Sequence, residues 1–149
     1  MFPAAAGGGL SIGAAAVRLL TEGRRLAGLE RWQTMKYMFL LYGKPLPEPG
    51  SAEAAELFRA WSTANEAMAK AGVLIDCAPL QPPSASTTVR VRNGETMITD
   101  GPAAEIKEQF GGFTLIECAD LDEALRWAAR IPTAADGTVE VRPVVAVSP

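Results

Sequence analysis

Asp100 stands where the run Glu95 to Thr99 meets the turn Gly101-Pro102. Strand alternation places it on the side of Thr96 and Ile98. A carboxylate part-buried at such a rim has a raised pKa and can act as acid or base near neutrality. Aspartate before glycine also serves as a plain turn former whose side chain accepts local backbone hydrogen bonds, and both readings stand. Glu105, Lys107, Glu108 and Gln109 follow. On a short helical turn Glu105 shares a side with Glu108 and Gln109. The group reads either as a solvated face or as a polar lip over a cleft, with Lys107 holding an anionic substrate group. Arg90 and Arg92 alternate with Val89 and Val91, as on a half-exposed strand, and Arg90 is a further candidate for a carboxylate ligand. Pairing with Glu95 across the turn accounts for Arg92.

The chain has no histidine, which excludes a Ser-His or Cys-His nucleophile pair and an imidazole base. Zinc would need both cysteines plus carboxylates from distant segments. No metal and no cofactor is expected, and proton chemistry falls to carboxylate, lysine, tyrosine or cysteine. Cys77 and Cys118 lie in strand-like segments without Cys-x-x-Cys spacing and read as small buried hydrophobes. Trp61, Trp127, Tyr37 and Tyr42 read as core aromatics.

The elements that must position these residues are legible in the periodicity. Lys36 to Tyr42 is a strand apolar on both sides, with Tyr37, Phe39 and Leu41 on one and Met38, Leu40 and Tyr42 on the other, so both faces must be covered. After the loop Pro45 to Gly50, Ser51 caps a helix with Glu53 and Glu56 in its first turn and a stripe of Leu57, Trp61, Ala64 and Met68. Gly72 stops it. Val73 to Pro79 is the next strand. Thr87 to Arg92 and Glu95 to Thr99 form a hairpin about Asn93-Gly94, one face apolar and the other charged. Phe113 to Cys118 is a strand, and Gly111-Gly112 before it allows a bend or a close backbone approach. Asp120 and Glu123 form a capping box opening a helix with Leu121, Ala124, Leu125, Ala128 and Ile131 on its inner face and Pro132 at its end. The last strand is expected over Thr138 to Val147. Without the hairpin the order is strand, helix, strand, strand, helix, strand, a ferredoxin-like α+β fold of split βαβ type. Two helices cover one face of such a sheet, and a second copy of the chain is the simplest cover for the other.

At 149 residues and 48% hydrophobic, the chain can bury one core. A net charge of −3 with scattered arginines argues against nucleic-acid binding. No apolar run approaches the ~20 residues that span a bilayer, and Arg18 follows the apolar N-terminal stretch where a signal peptide needs a charge before it. No membrane association and a cytoplasmic location are expected. Residues 1–34, rich in glycine and alanine, read as a disordered extension or a start placed too far upstream, leaving 35–149 as the domain.

Asp100-Gly101-Pro102-Ala103 and the residues to Cys118 resemble the signature of YCII-related proteins of the DGPF type. Met35 to Gly43, Leu80 to Arg90 and Gly137 to Val144 resemble the same family in the same order. Ala103 stands where that signature has Phe. The resemblance implies a homodimeric α+β barrel. It also implies one of two roles. One is a cofactor-free enzyme, isomerase or lyase in type, acting on a small organic acid or lactone-like compound with Asp100 in proton transfer. The other is a ligand-binding or regulatory partner of an extracytoplasmic-function sigma factor. YCII proteins regarded as catalytic pair a histidine with their aspartate, and this chain has no such histidine.

Overall fold

The computed structural model describes residues 34–147; the expectation for residues 1–34 lies, but for Thr34, outside them. Ten elements follow in order: β1 (Met35–Gly43), α1 (Ala52–Lys70), β2 (Leu74–Pro79), a 3-10 turn (Pro83–Ala85), β3 (Thr87–Arg92), β4 (Glu95–Asp100), β5 (Gln109–Cys118), α2 (Leu121–Ala128), α3 (Thr133–Asp136) and β6 (Thr138–Pro143). Four strands form an antiparallel sheet in the order β2-β5-β1-β6, and β3 and β4 form a separate two-stranded sheet. With β5 between β1 and β2, this is the expected α+β arrangement of ferredoxin-like type with an added hairpin.

Local signals act where they were expected. Ser51 Oγ accepts from the Ala54 N–H at 3.1 Å, satisfying one of the free donors at the start of α1. Asp120 Oδ1 accepts from the Glu123 N–H at 2.8 Å, and Glu123 Oε2 reaches back to the Ala119 N–H at 2.9 Å. The reciprocal bond thus falls one residue before the one a capping box predicts. Asn93 and Gly94 take φ of 51° and 81°, as a two-residue turn matched to strand twist requires. The register is the predicted one, with Arg92 opposite Glu95, Arg90 opposite Met97 and Val89 opposite Ile98.

Several boundaries or faces differ; β5 begins at Gln109 rather than Phe113 and so includes Gly111 and Gly112. The last strand stops at Pro143 rather than Val147. Beyond it Val144 N–H still donates to Lys36 O at 2.8 Å, but Val145 and Val147 are exposed. In α2, Leu121 and Leu125 are exposed while Ala124 and Ala128 are buried, as is Ile131 just beyond the helix. The small residues let the helix lie close to the sheet and the leucines flank the contact. The helix ends at Ala128, and Pro132 instead opens α3.

The core lies on one face of the sheet. Tyr37, Phe39 and Leu41 of β1 and Ile116 and Cys118 of β5 pack with Met68 of α1 and Ala124 and Ala128 of α2, joined by Trp61, Leu74, Trp127, Val139 and Val141 at the margin. Burial of these groups is worth ~25 cal/mol per Å² of apolar surface removed from water. Tyr37 and the tryptophans thus take the core role read for them, and Tyr42 meets Phe110 at 5.4 Å between ring centroids. The opposite face carries Met38, Leu40, Phe113 and Leu115, all half-buried and adjacent in register, and none belongs to the core cluster.

Candidate functional site

The sequence-predicted site residues do not converge in the single chain. Asp100 ends β4 opposite Thr87 and is exposed, not part-buried. The turn after it is held by Gly101 N–H to Ser86 O and by Thr88 Oγ1 donating to Gly101 O, both at 2.8 Å, so the Asp100 carboxyl takes no part in those bonds. Residues 103–108 form an irregular loop without a helical turn, and Glu105, Lys107 and Glu108 on it are exposed. Arg90 is exposed on β3 and its Nη2 lies 3.5 Å from Ala103 O. Arg92 donates to the carbonyl of Val91 at 2.9 Å instead of forming the expected ion pair with Glu95. Gln109 alone of this set reaches a cleft, since it opens β5 opposite Gly43 and is half-buried.

That cleft, of about 770 Å³, is formed by α1, the proline loop before it, β2 and the start of β5. Leu57, Phe58 and Trp61 of α1 form one wall, Phe110 and Phe113 another, and Pro45, Pro47, Pro82 and Pro83 the rims. Cys77 and Ala78 both line it although successive strand residues point to opposite faces, so the cleft wraps the edge strand β2. Two features of β5 shape this end. Gly111 falls at a register break between Leu41 and Tyr42, and its carbonyl accepts from the Leu80 N–H at 2.8 Å. Gly112 lies so close to β2 that a Cβ there would sit 2.7 Å from Ala78 O; the glycine pair therefore serves both bend and close approach.

The polar groups of the cleft are few. Lys44, Ser62, Asn65, Gln81, Gln109 and Thr133 line it, and among the described residues no carboxylate does. Asn65 Oδ1 is buried without a hydrogen-bond partner. Lys44 Nζ lies 3.8 Å from Asp136, both side chains well exposed. Among the described residues no cluster of three or more His, Cys, Asp or Glu side chains is placed to hold a metal ion, and no helix is long and apolar enough to cross a membrane. Sequence reasoning missed Phe58, Asn65 and the proline rims as site residues. The signal available was a pair of proline-rich loops flanking an amphipathic helix, which does not by itself say that the loops meet.

Both cysteines are free thiols, but only Cys118 is buried as expected; Cys77 is half-buried because β2 is an edge strand. Burial pushes the Cys118 thiol up, and the nearby Glu123 charge adds to this. Its Sγ donates to Asp120 O at 3.4 Å. The neutral thiol is favoured by folding, so its contribution to stability is complete below the unfolded thiol pKa, about 8.5, and is lost as pH rises through the higher folded value. The expected result is that iodoacetamide at pH 7.5 leaves Cys118 unmodified in the folded chain and alkylates it in denaturant. Rapid native alkylation, read by peptide mass, would contradict this.

A family model for the YCII-related domain matches residues 35–148, and the chain belongs to that family. It is also similar to an uncharacterised protein of Rhizobium meliloti (strain 1021), with 42% identity over 99 residues that cover 65% of this chain and 80% of the relative.

Proposed function

We propose that the protein is a cytoplasmic homodimer of the DGPF type that binds a small, predominantly apolar ligand in the cleft beside β2. The observation that carries this reading is the cleft's lining: about 770 Å³ of space walled by Leu57, Phe58, Trp61, Phe110 and Phe113, with scattered amides and, among the described residues, no carboxylate. Small-molecule sites have this size and this mix of apolar wall and a few polar groups. Acid-base catalysis needs a titratable group poised within reach of the substrate, and of the two in the lining Lys44 holds its ammonium out in solvent toward Asp136 while the Cys77 thiol is pushed up by burial. Ligand binding therefore fits the site better than proton transfer. In a regulatory partner of an extracytoplasmic-function sigma factor, occupancy of this cleft would be the input.

The test is titration with the neutral fluorophore N-phenyl-1-naphthylamine. Saturable enhancement is expected in the parent protein. Phe58 is 72% exposed, so Phe58→Asp leaves the core intact while placing a charge on the cleft wall. Affinity should fall about tenfold or more, the scale of losing one aromatic contact surface. Equal affinity in the variant would overturn the assignment of the cleft.

One observation favours an enzymatic second reading. Asp100 shares a hairpin face with Val89, Val91 and Ile98, which are exposed at 59%, 55% and 70%. A second copy covering that apolar face would enclose the Asp100 carboxyl, with Lys107, Glu105, Gln109 and Arg90 as candidate substrate contacts on a small organic acid. Asp100→Asn keeps size and turn chemistry. On this reading it leaves the melting temperature unchanged and reduces turnover or acid binding by about a hundredfold; unaltered binding removes the role.

A further inference from the structure

Asn65 sits on the buried stripe of α1, four residues after Trp61 and three before Met68, and lines the cleft. Its Oδ1 is closed to solvent and accepts no hydrogen bond. An amide held so has lost its water without gaining a partner, an arrangement that costs more than a fully paired or a fully apolar one. The terminal torsion of asparagine is broad, so a modest rotation presents the amide to a molecule lying in the cleft. Which edge then faces the ligand makes little difference to a hydroxyl, because a hydroxyl both donates and accepts.

The charge of the ligand follows from its surroundings. Lys44 holds its ammonium out toward Asp136, with side chains 76% and 66% exposed, so that charge is spent in solvent. The Cys77 thiol is pushed up by burial and by the Asp76 charge, and so stays neutral. A carboxylate or ammonium carried deep into such a lining would lie unpaired in apolar surroundings. We infer that the cleft takes an uncharged, largely aromatic or alicyclic molecule whose single hydroxyl bonds to Asn65. This rests on the reading of the cleft as a ligand site and names the chemical class that the site selects.

The experiment is displacement of N-phenyl-1-naphthylamine by three molecules of one ring system: 1-naphthol, 1-methylnaphthalene and 1-naphthoate. The parent protein should prefer 1-naphthol over 1-methylnaphthalene by about five- to tenfold, the usual net worth of one hydrogen bond, and should bind 1-naphthoate weakest. In Asn65→Leu, which keeps the volume and removes the amide, the preference for 1-naphthol should fall to about onefold while 1-methylnaphthalene binds as well as before. Asn65→Ala also removes the amide without adding apolar bulk, so it should lose the hydroxyl preference as well, and it decides the matter if the leucine variant does not fold. Equal binding of 1-naphthol and 1-methylnaphthalene by the parent overturns the hydroxyl assignment. Tightest binding of 1-naphthoate overturns the neutral class. Either result leaves the cleft standing as a ligand site, whereas failure of all three, with the fluorophore itself unbound, removes the site.

Discussion

Light scattering at low micromolar concentration is expected to return twice the 15.7 kDa chain mass, and Leu115→Glu is expected to return the single-chain mass with the fold retained. The central strands of the sheet present Met38 and Leu40 beside Leu115 and Phe113 on the face away from the helices. Asp76 borders this patch on the β2 side, and on the β6 side stand Glu140 and Arg142, which pair with one another. An apolar centre with a charged margin is the composition of a surface that meets a partner. A glutamate at position 115 would bury an unpaired carboxylate at the centre of that contact, a penalty of several kcal/mol for each of two symmetry-related sites. Leu115 lies outside the core cluster, so circular dichroism should be unchanged. A parent protein that stays at the single-chain mass at tens of micromolar would sink the two-sheet arrangement.

Replacement of Gly137 by alanine should be the most destabilising single methyl addition in the described chain's β1–β6 contact. Gly137 ends α3 and leads directly into β6, where the chain passes so close to β1 that an added Cβ would overlap Tyr42 O and lie 3.1 Å from the Gly43 Cα. The obstructing atoms are backbone, in a strand paired on both sides, so relief requires the β6 pairing itself to shift. The expected cost is about 3 kcal/mol or more, at the upper end of single-residue effects, and about 10–20 °C in melting temperature for a domain of this size. A change below about 1 kcal/mol in urea unfolding would show that α3 can move aside and that the close approach is not needed.

The family was readable from the resemblance of a few segments, and the fold class for a physical reason. Cap residues, the Asn93-Gly94 turn, the two-sided apolar strand and the helical stripes are decided by neighbours within about four positions or by simple alternation, and each local preference agreed with the others. The fold class then followed from the order of strands and helices along the chain. Where an expectation failed, a tertiary contact decided instead. Val145 and Val147 have strand-like pattern, but among the described residues no strand pairs with them beyond Val144. Leu121 and Leu125 have the right spacing to face inward, but Ala124 and Ala128 occupy the close contact.

The candidate site divides along the same line. The residues by themselves determined which chemistry was absent: without histidine no imidazole mechanism was available, and the acids, lysine and arginine around Asp100 were the visible candidates. Only the folded chain decided that these stand exposed on a hairpin and a loop while a proline loop, one helix face and a bent strand end enclose an apolar cleft. Pro45, Asn65, Cys77, Pro82 and Phe110 are brought together across long stretches of chain by the β2–β5 pairing and by the packing of α1 on the sheet. Concavity is a property of surfaces meeting in space, and no spacing along the sequence encodes it.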